Sequence, residues 1–284
     1  MIGSGIAQTL ADYGMEVTEF NRQGISVTKT NLSHKFTAAF DSEFEFLSDF
    51  DFVINAIGLI RHKINEKSAS DLIETIAVNS YFPRELDKFA SKTQLKVIQI
   101  GTDCIYSGSV GNYSETSTPD PLDIYGYSKV LGEAALTHTN ILRVSVVGNE
   151  ISTNTELKSW VESLPRGKQI QGYSNHLWNG VTPLQLGRVI SGMIQNNLWS
   201  SGIQHLVPSD SISKFELISW IAKLADREDL VIEPFRTNQS VNRTLSTVNN
   251  ERNLSLWAHA GYDLPPGIKQ MIEQYNEWIC AIRR

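Results

Sequence analysis

The chain has 284 residues, 41% of them hydrophobic and 20% charged, with 25 Lys plus Arg against 31 Asp plus Glu for a net charge of -6. That is the composition of a soluble globular protein with a core large enough to need no disulfide or structural metal, and a pI near 5.6 without a basic block argues against nucleic acid as a partner. Cys104 and Cys280 stand outside any CxxC or Cys/His cluster, which leaves no metal motif and fits a reducing cytoplasm. The longest apolar run, Phe52 to Ile60, is shorter than the ~20 residues that cross a bilayer, and the N-terminus carries no secretory signal, so no membrane association is expected.

Ile6 to Tyr13 reads as an amphipathic helix closed by Gly14, and Met15 to Phe20 as a short strand after it. Phe52 to Ile57, Leu95 to Ile100 and Ile141 to Val147 are continuous apolar runs, the pattern of strands buried on both faces. Between them, Leu72 to Ala90 and Tyr125 to Leu136 carry apolar residues at helical spacing. Alternating strands and helices predict an α/β fold built on a Rossmann-like, doubly wound parallel sheet that binds ligands at its carboxyl edge. After Gly148 the elements shorten between Pro165, Gly167, Gly172, Pro183 and Pro208, which predicts a smaller C-terminal lobe. The expected division is 1–150 for a cofactor domain and 151–284 for a substrate lobe, with about 177–206 returning to the sheet. In the lobe, Ser213 and Glu216 have the spacing of a capping box on a helix reaching Ala225.

A dinucleotide fold opens with a strand and a glycine-rich turn, yet only Met1 and Ile2 precede Gly3. Reading Gly3 as the last glycine of a GxxGxxG turn makes Ile6 onward the rest of the first helix. The first strand and two glycines are then expected to fall outside this chain.

Tyr125 and Lys129 in Tyr-Gly-Tyr-Ser-Lys lie four apart, on one face of a predicted helix. An ammonium beside a phenol is expected to pull the phenol pKa down and make Tyr125 a general acid. The strand ending at Ile100 places Thr102 at the carboxyl edge, where its hydroxyl can polarise a carbonyl, and the run from Asn55 through Ala56 to Gly58 ends in small residues that admit a flat cofactor. Cys104 has no cationic neighbour in sequence and reads as packing.

With these features the sequence resembles the extended short-chain dehydrogenase/reductases, and within them the dTDP-4-dehydrorhamnose reductase (RmlD-like) family. The resemblance spans the chain through MIGS at Met1, INAIG at Ile54, VNSYFPREL at Val78, GTDCIYSG at Gly101, GNYSE at Gly111, YGYSKVLGE at Tyr125, LRVSVVG at Leu142 and NHLWNGVTP at Asn175. It implies hydride transfer to the keto carbon of a 4-keto-6-deoxy nucleotide sugar, in the synthesis of surface polysaccharide precursors, with Thr102, Tyr125 and Lys129 catalytic. Gly3, Ser4, Asn21, Arg22, Asn55, Ala56, Gly58, Asn79, Tyr125 and Lys129 would meet the cofactor, and Asp103, His176, Trp178 and Asn179 the substrate. No metal is implied. Arg22, where NAD-specific folds carry an acid, favours NADPH over NADH by pairing with a 2′-phosphate. Asp103-Cys104, in place of Asp-Glu, disfavours a dehydratase, and Gly101 and Ser107 depart from the family's usual Ser and acid. Two alternatives stand beside the reductase: an epimerase, which recycles its cofactor, and a non-catalytic regulatory homologue resembling the β subunit of methionine adenosyltransferase. A homodimer is compatible with the resemblance.

Overall fold

The computed structural model describes residues 2–20, 44–148 and 157–282. Helix α1 covers Ile2–Asp12, and Gly14, at φ 77°, turns the chain out of it, as the amide of Met15 returns to the Leu10 carbonyl. Only glycine takes that left-handed step without strain. Four strands, β1 (Phe52–Asn55), β2 (Lys96–Ile100), β3 (Thr139–Arg143) and β6 (Gly202–His205), form one all-parallel sheet in the order β1-β2-β3-β6.

Successive residues of a strand face opposite ways. Ile98 and Ile100 of β2 therefore enter one cluster with Ile6 and Leu10 of α1 and with Leu186, Val189 and Ile190 of α6 (Pro183–Gln195), while Val97 enters another with Phe82, Leu86 and Phe89 of α3 (Phe82–Ala90). Helices thus cover both faces, and the chain has the α/β, doubly wound class expected of it. α1 lies close on α6, because a side chain at Gly187 would meet Thr9 Cβ at 2.5 Å.

Met15 to Phe20 is not a strand. Met15 and Val17 pack on the larger cluster, and Phe20 meets Phe46 and Phe50 edge-on or tilted, but no described residue offers the segment a ladder partner. Apolar alternation alone does not make a strand; backbone partners must be present. β1 is only half-buried over most of its length, for it lies at the edge of the four described strands.

The expected helix from Leu72 is real but interrupted: α2 (Ala69–Ile76) runs into a π turn at Ala77–Tyr81 and resumes as α3. Helix α4 (Ile124–Glu133) packs on that turn, and α5 covers Leu157–Ser163. Beyond it, β4 (Gln169–Tyr173) pairs with β8 (Val231–Phe235), and β5 (His176–Trp178) lies between β7 (Ile212–Ser213) and β9 (Val241–Asn242). Helix α7 (Lys214–Leu224) starts on Ser213, with both capping-box hydrogen bonds to Glu216 formed. Helices α8 (Asn250–His259) and α9 (Ile268–Ile282) close the described chain, and no helix among the described residues is long and apolar enough to cross a membrane.

Candidate active site

Because the strands are parallel, their carboxyl ends gather along one edge, and the residues after β1 and β2 face each other there. Asn55 and Asn79 are both buried, and their amides are spent inside the protein. Asn55 donates to Gln99 Oε1 at 2.7 Å and accepts from the Ile57 amide, while Asn79 accepts from the Leu59 amide at 2.9 Å and donates to the Leu59 carbonyl and to Ser128 Oγ. These hydrogen bonds fix both side chains in the floor of the site. Gly58 lies above them, where an added Cβ would come within 3.4 Å of Asn79 Oδ1 and 3.9 Å of Lys129 Nζ. Gly3 and Ser4 occupy the first turn of α1, with Gly3 next to Ala56.

Thr102 follows β2 and caps a short 3-10 turn, Asp103–Ile105, by accepting from the Cys104 amide at 3.2 Å. Asp123 caps α4 by accepting from the Gly126 amide. Gly126 lets that helix end press on the turn, since a Cβ there would meet the Cys104 carbonyl and Pro121 Cβ at 2.6 Å. The result is a hydrogen bond between Tyr125 and Thr102. One turn on, Lys129 donates to the Ile100 carbonyl at 3.4 Å.

The phenol differs from the sequence expectation. Burial raises the Tyr125 pKa well above its ordinary value, with the Cys104 thiol adding to the rise, and burial lowers that of Lys129. The ammonium does not pull the phenol down, because it is desolvated itself and its strongest charged neighbour is Glu133. A phenol that keeps its proton at neutral pH is an acid, not a base. The Cys104 thiol is pushed up to about 12 by burial and the Asp103 charge, so it too stays protonated.

Behind Lys129 the helix carries Glu133, which pairs with Arg143 Nε at 2.8 Å, both side chains only 5% exposed. Arg143 also donates to the Tyr106 hydroxyl at 3.0 Å. Glycine stands at 101 for this reason: a Cβ there would meet Glu133 Oε1 and Arg143 Cγ at 2.8 Å. Sequence reading placed both residues in motifs but did not pair them.

Of the expected substrate residues, two join Thr102. Asp103 is buried and hydrogen-bonded with Ser145, which also accepts from Trp178 Nε1 at 2.8 Å. His176 is half-buried against Tyr173 and shares a hydrogen bond with Thr237 Oγ1. Asn179 is committed elsewhere, clasping both backbone groups of Leu245 at 2.7 and 2.8 Å. Two cations that sequence reading missed also face Asp103, namely Lys214 and Arg243. The signal for Lys214 was its place in the first turn of a helix, where the dipole disfavours a cation; Arg243, in an irregular stretch, carried none. Asn21 and Arg22 lie outside the described residues. Among the described residues no cluster of three or more His, Cys, Asp or Glu could hold a metal ion.

The residues present fit a nicotinamide cofactor: Gly58 keeps open a space bordered by Lys129 and Asn79 that a side chain would fill, and Tyr125 stands one helical turn before Lys129.

The sequence model of the RmlD substrate binding domain family matches residues 1–275. Among curated proteins, methionine adenosyltransferase 2 subunit beta of Xenopus tropicalis is 27% identical over 152 residues, 49% of this chain and 45% of that protein. The probable low-salt glycan biosynthesis reductase Agl14 of Haloferax volcanii is 26% identical over 167 residues, 55% of each. The chain thus spans about half the length of the curated relatives it matches. Among solved structures, a dTDP-4-dehydrorhamnose reductase of Bacillus anthracis in complex with NADP aligns with a TM-score of 0.75 at 18% identity, covering 96% of this chain and 94% of that one. A dTDP-4-dehydrorhamnose reductase of Clostridium acetobutylicum aligns at 0.73 and 18%, covering 98% and 96%. These likenesses establish a shared fold.

Proposed function

The chain belongs to the RmlD substrate binding domain family, and from that premise we propose that it is an NADPH-dependent reductase of a 4-keto-6-deoxy nucleotide sugar, acting in the cytoplasm in the synthesis of surface polysaccharide precursors. The observation that carries the reading is the meeting of Thr102, Tyr125 and Lys129 at the carboxyl edge, with the phenol held protonated. The Haloferax glycan reductase and the NADP-bound fold relative support the pathway and the cofactor, as does Arg22 for the 2′-phosphate. In this division of labour 1–150 hold the cofactor and 151–284 the sugar nucleotide, with about 177–206 returning to the sheet; a homodimer is part of the same reading.

A bound reduced nicotinamide supplies the hydride. Thr102 Oγ donates to the keto oxygen and favours the charge that develops on it, as a fixed donor costs no reorganisation. Tyr125 gives its proton to that oxygen, and its raised pKa keeps the proton available until then. Lys129 borders the space beside Gly58 and would hold the ribose of a nicotinamide bound there.

The test is NADPH oxidation with a panel of 4-keto nucleotide sugars. Tyr125→Phe should lower turnover by about 10²–10⁴-fold while leaving NADPH affinity nearly unchanged; unchanged turnover removes Tyr125 from the chemistry. Product formation without net NADPH consumption indicates an epimerase. The similarity to a methionine adenosyltransferase subunit favours a second reading, a non-catalytic regulatory homologue, and NADPH binding without turnover on any substrate of the panel selects it.

A further inference from the structure

Facing Asp103, two cations hold nitrogen donors that no described residue uses. Lys214 is half-buried, its Nζ lies 5.0 Å from the centre of the Trp178 ring, and among the described residues it has neither a hydrogen bond nor an ion pair. Arg243 spends only Nε, on the Tyr106 carbonyl at 2.9 Å, and its two terminal nitrogens have no partner among the described residues. Two carboxylates stand against them: Asp103, which faces both and whose burial favours its neutral form, and Asp120, which lines a cavity with Arg243 and accepts from the Ser107 amide and hydroxyl; burial likewise favours the neutral form of the nearby His176. Next to Thr102, two cations thus face one shared acid, Asp103.

Holding Lys214 there is costly to the fold. It opens α7, where the helix dipole repels a cation, and burial brings its pKa down to about 8. Neutralising Asp103 calls for one cation at most. Arg243 itself lines a cavity of about 460 Å³ together with Ser107, Gly108, Asp120, Gln239 and Ser240, a space that a ligand can enter.

We propose that Lys214 and Arg243 form a subsite that binds an anionic group of the substrate beside Thr102 and Tyr125. The inference rests on the reductase reading for the identity of the ligand as a nucleotide sugar. The anion is either the diphosphate of that molecule or, where the sugar is a uronate in place of a 6-deoxy sugar, its C6 carboxylate, and ammonium and guanidinium donors suit both.

The experiment is calorimetric titration of the full chain and of Lys214→Met and Arg243→Met with dTDP, dTDP-glucose and dTDP-glucuronate, repeated with the UDP series. The expected result is binding by the wild type that weakens at least about tenfold in both variants, the loss of one charge-assisted contact. Weakening of all three ligands assigns the diphosphate; weakening of the glucuronate alone assigns the sugar carboxylate. Variants that bind every ligand as tightly as the wild type, or a wild type that binds none, overturn the proposal. Circular dichroism checks each fold, and Lys214→Gln replaces any variant that does not fold. The titration needs no turnover, so a chain that binds through Lys214 but never oxidises NADPH sinks the reductase reading and leaves the subsite standing.

Discussion

Gly132→Ala sets two physical effects against each other. Alanine is the better helix former, and a glycine inside α4 should cost about 1 kcal/mol relative to it. Yet a Cβ at 132 would stand 2.0 Å from the Asn79 carbonyl oxygen, in the π turn packed against the helix. Ordinary carbon–oxygen contact begins near 3.3 Å, so turn and helix must separate by roughly 1.3 Å. That movement breaks two buried hydrogen bonds, Asn79 Nδ2 to Ser128 Oγ at 3.0 Å and Ser80 Oγ to the Ser128 carbonyl at 2.6 Å, each worth about 1 kcal/mol. Overpacking adds about 1–3 kcal/mol. With the propensity gain set against these, the variant should be less stable by about 2–4 kcal/mol, a fall in Tm of roughly 5–15 °C for a chain of this size. Thermal unfolding followed by circular dichroism measures it. A Tm equal to or above that of the wild type would show that helix propensity wins and that the close contact holds nothing in place.

Glu133→Gln leaves the buried Arg143 charge without its counterion, so denaturant unfolding should show a loss of about 3–5 kcal/mol; a loss below about 1 kcal/mol would mean that the pair is dispensable. Lys214→Met should act in the opposite direction. A lysine brought from 10.5 to about 8 disfavours the folded state by up to about 3 kcal/mol wherever the unfolded chain is protonated, fully below pH 8 and progressively less up to pH 10.5. The variant should therefore be more stable than the wild type at pH 7, with the gap closing between pH 8 and 10.5. A variant less stable at pH 7 would contradict the burial argument.

The parts of the fold legible in the sequence were those that rest on local pattern. Continuous apolar runs marked β1 and β2, the run from Ile141 met β3 only over its last three residues, and the Ser213 to Glu216 spacing marked the start of α7, since these signals are carried within a few residues. Met15 to Phe20 shows the limit: its composition is that of a strand, but a strand is a relation between two segments. The π turn at Ala77–Tyr81 was hidden because one extra residue per turn hardly disturbs apolar periodicity. In the site, spacing gave Tyr125 and Lys129 a shared helix face but gave no measure of burial, so the direction of the phenol shift came out reversed. Lys214 and Arg243 stand more than a hundred residues from Asp103 in sequence, and only the fold brings them to it.

The costs in this chain are concentrated at one edge of the sheet. Burial pushes Tyr125, Asp103 and Glu133 up and Lys129 and Lys214 down, every shift toward the neutral form. Glu133 offsets its cost through Arg143, and Asp103 is bonded to Ser145, but Lys214 has no hydrogen bond or ion pair among the described residues, only the face of Trp178 and the charge of Asp103. A cation–π contact gives about 0.5–2 kcal/mol, less than the desolvation it would need to offset. A ligand that binds the native state alone can offset a destabilising group that has no ion-pair partner within the fold. That logic separates Lys214 from Glu133: Glu133 has its partner in Arg143, whereas in the proposed subsite Lys214 takes its partner from the ligand.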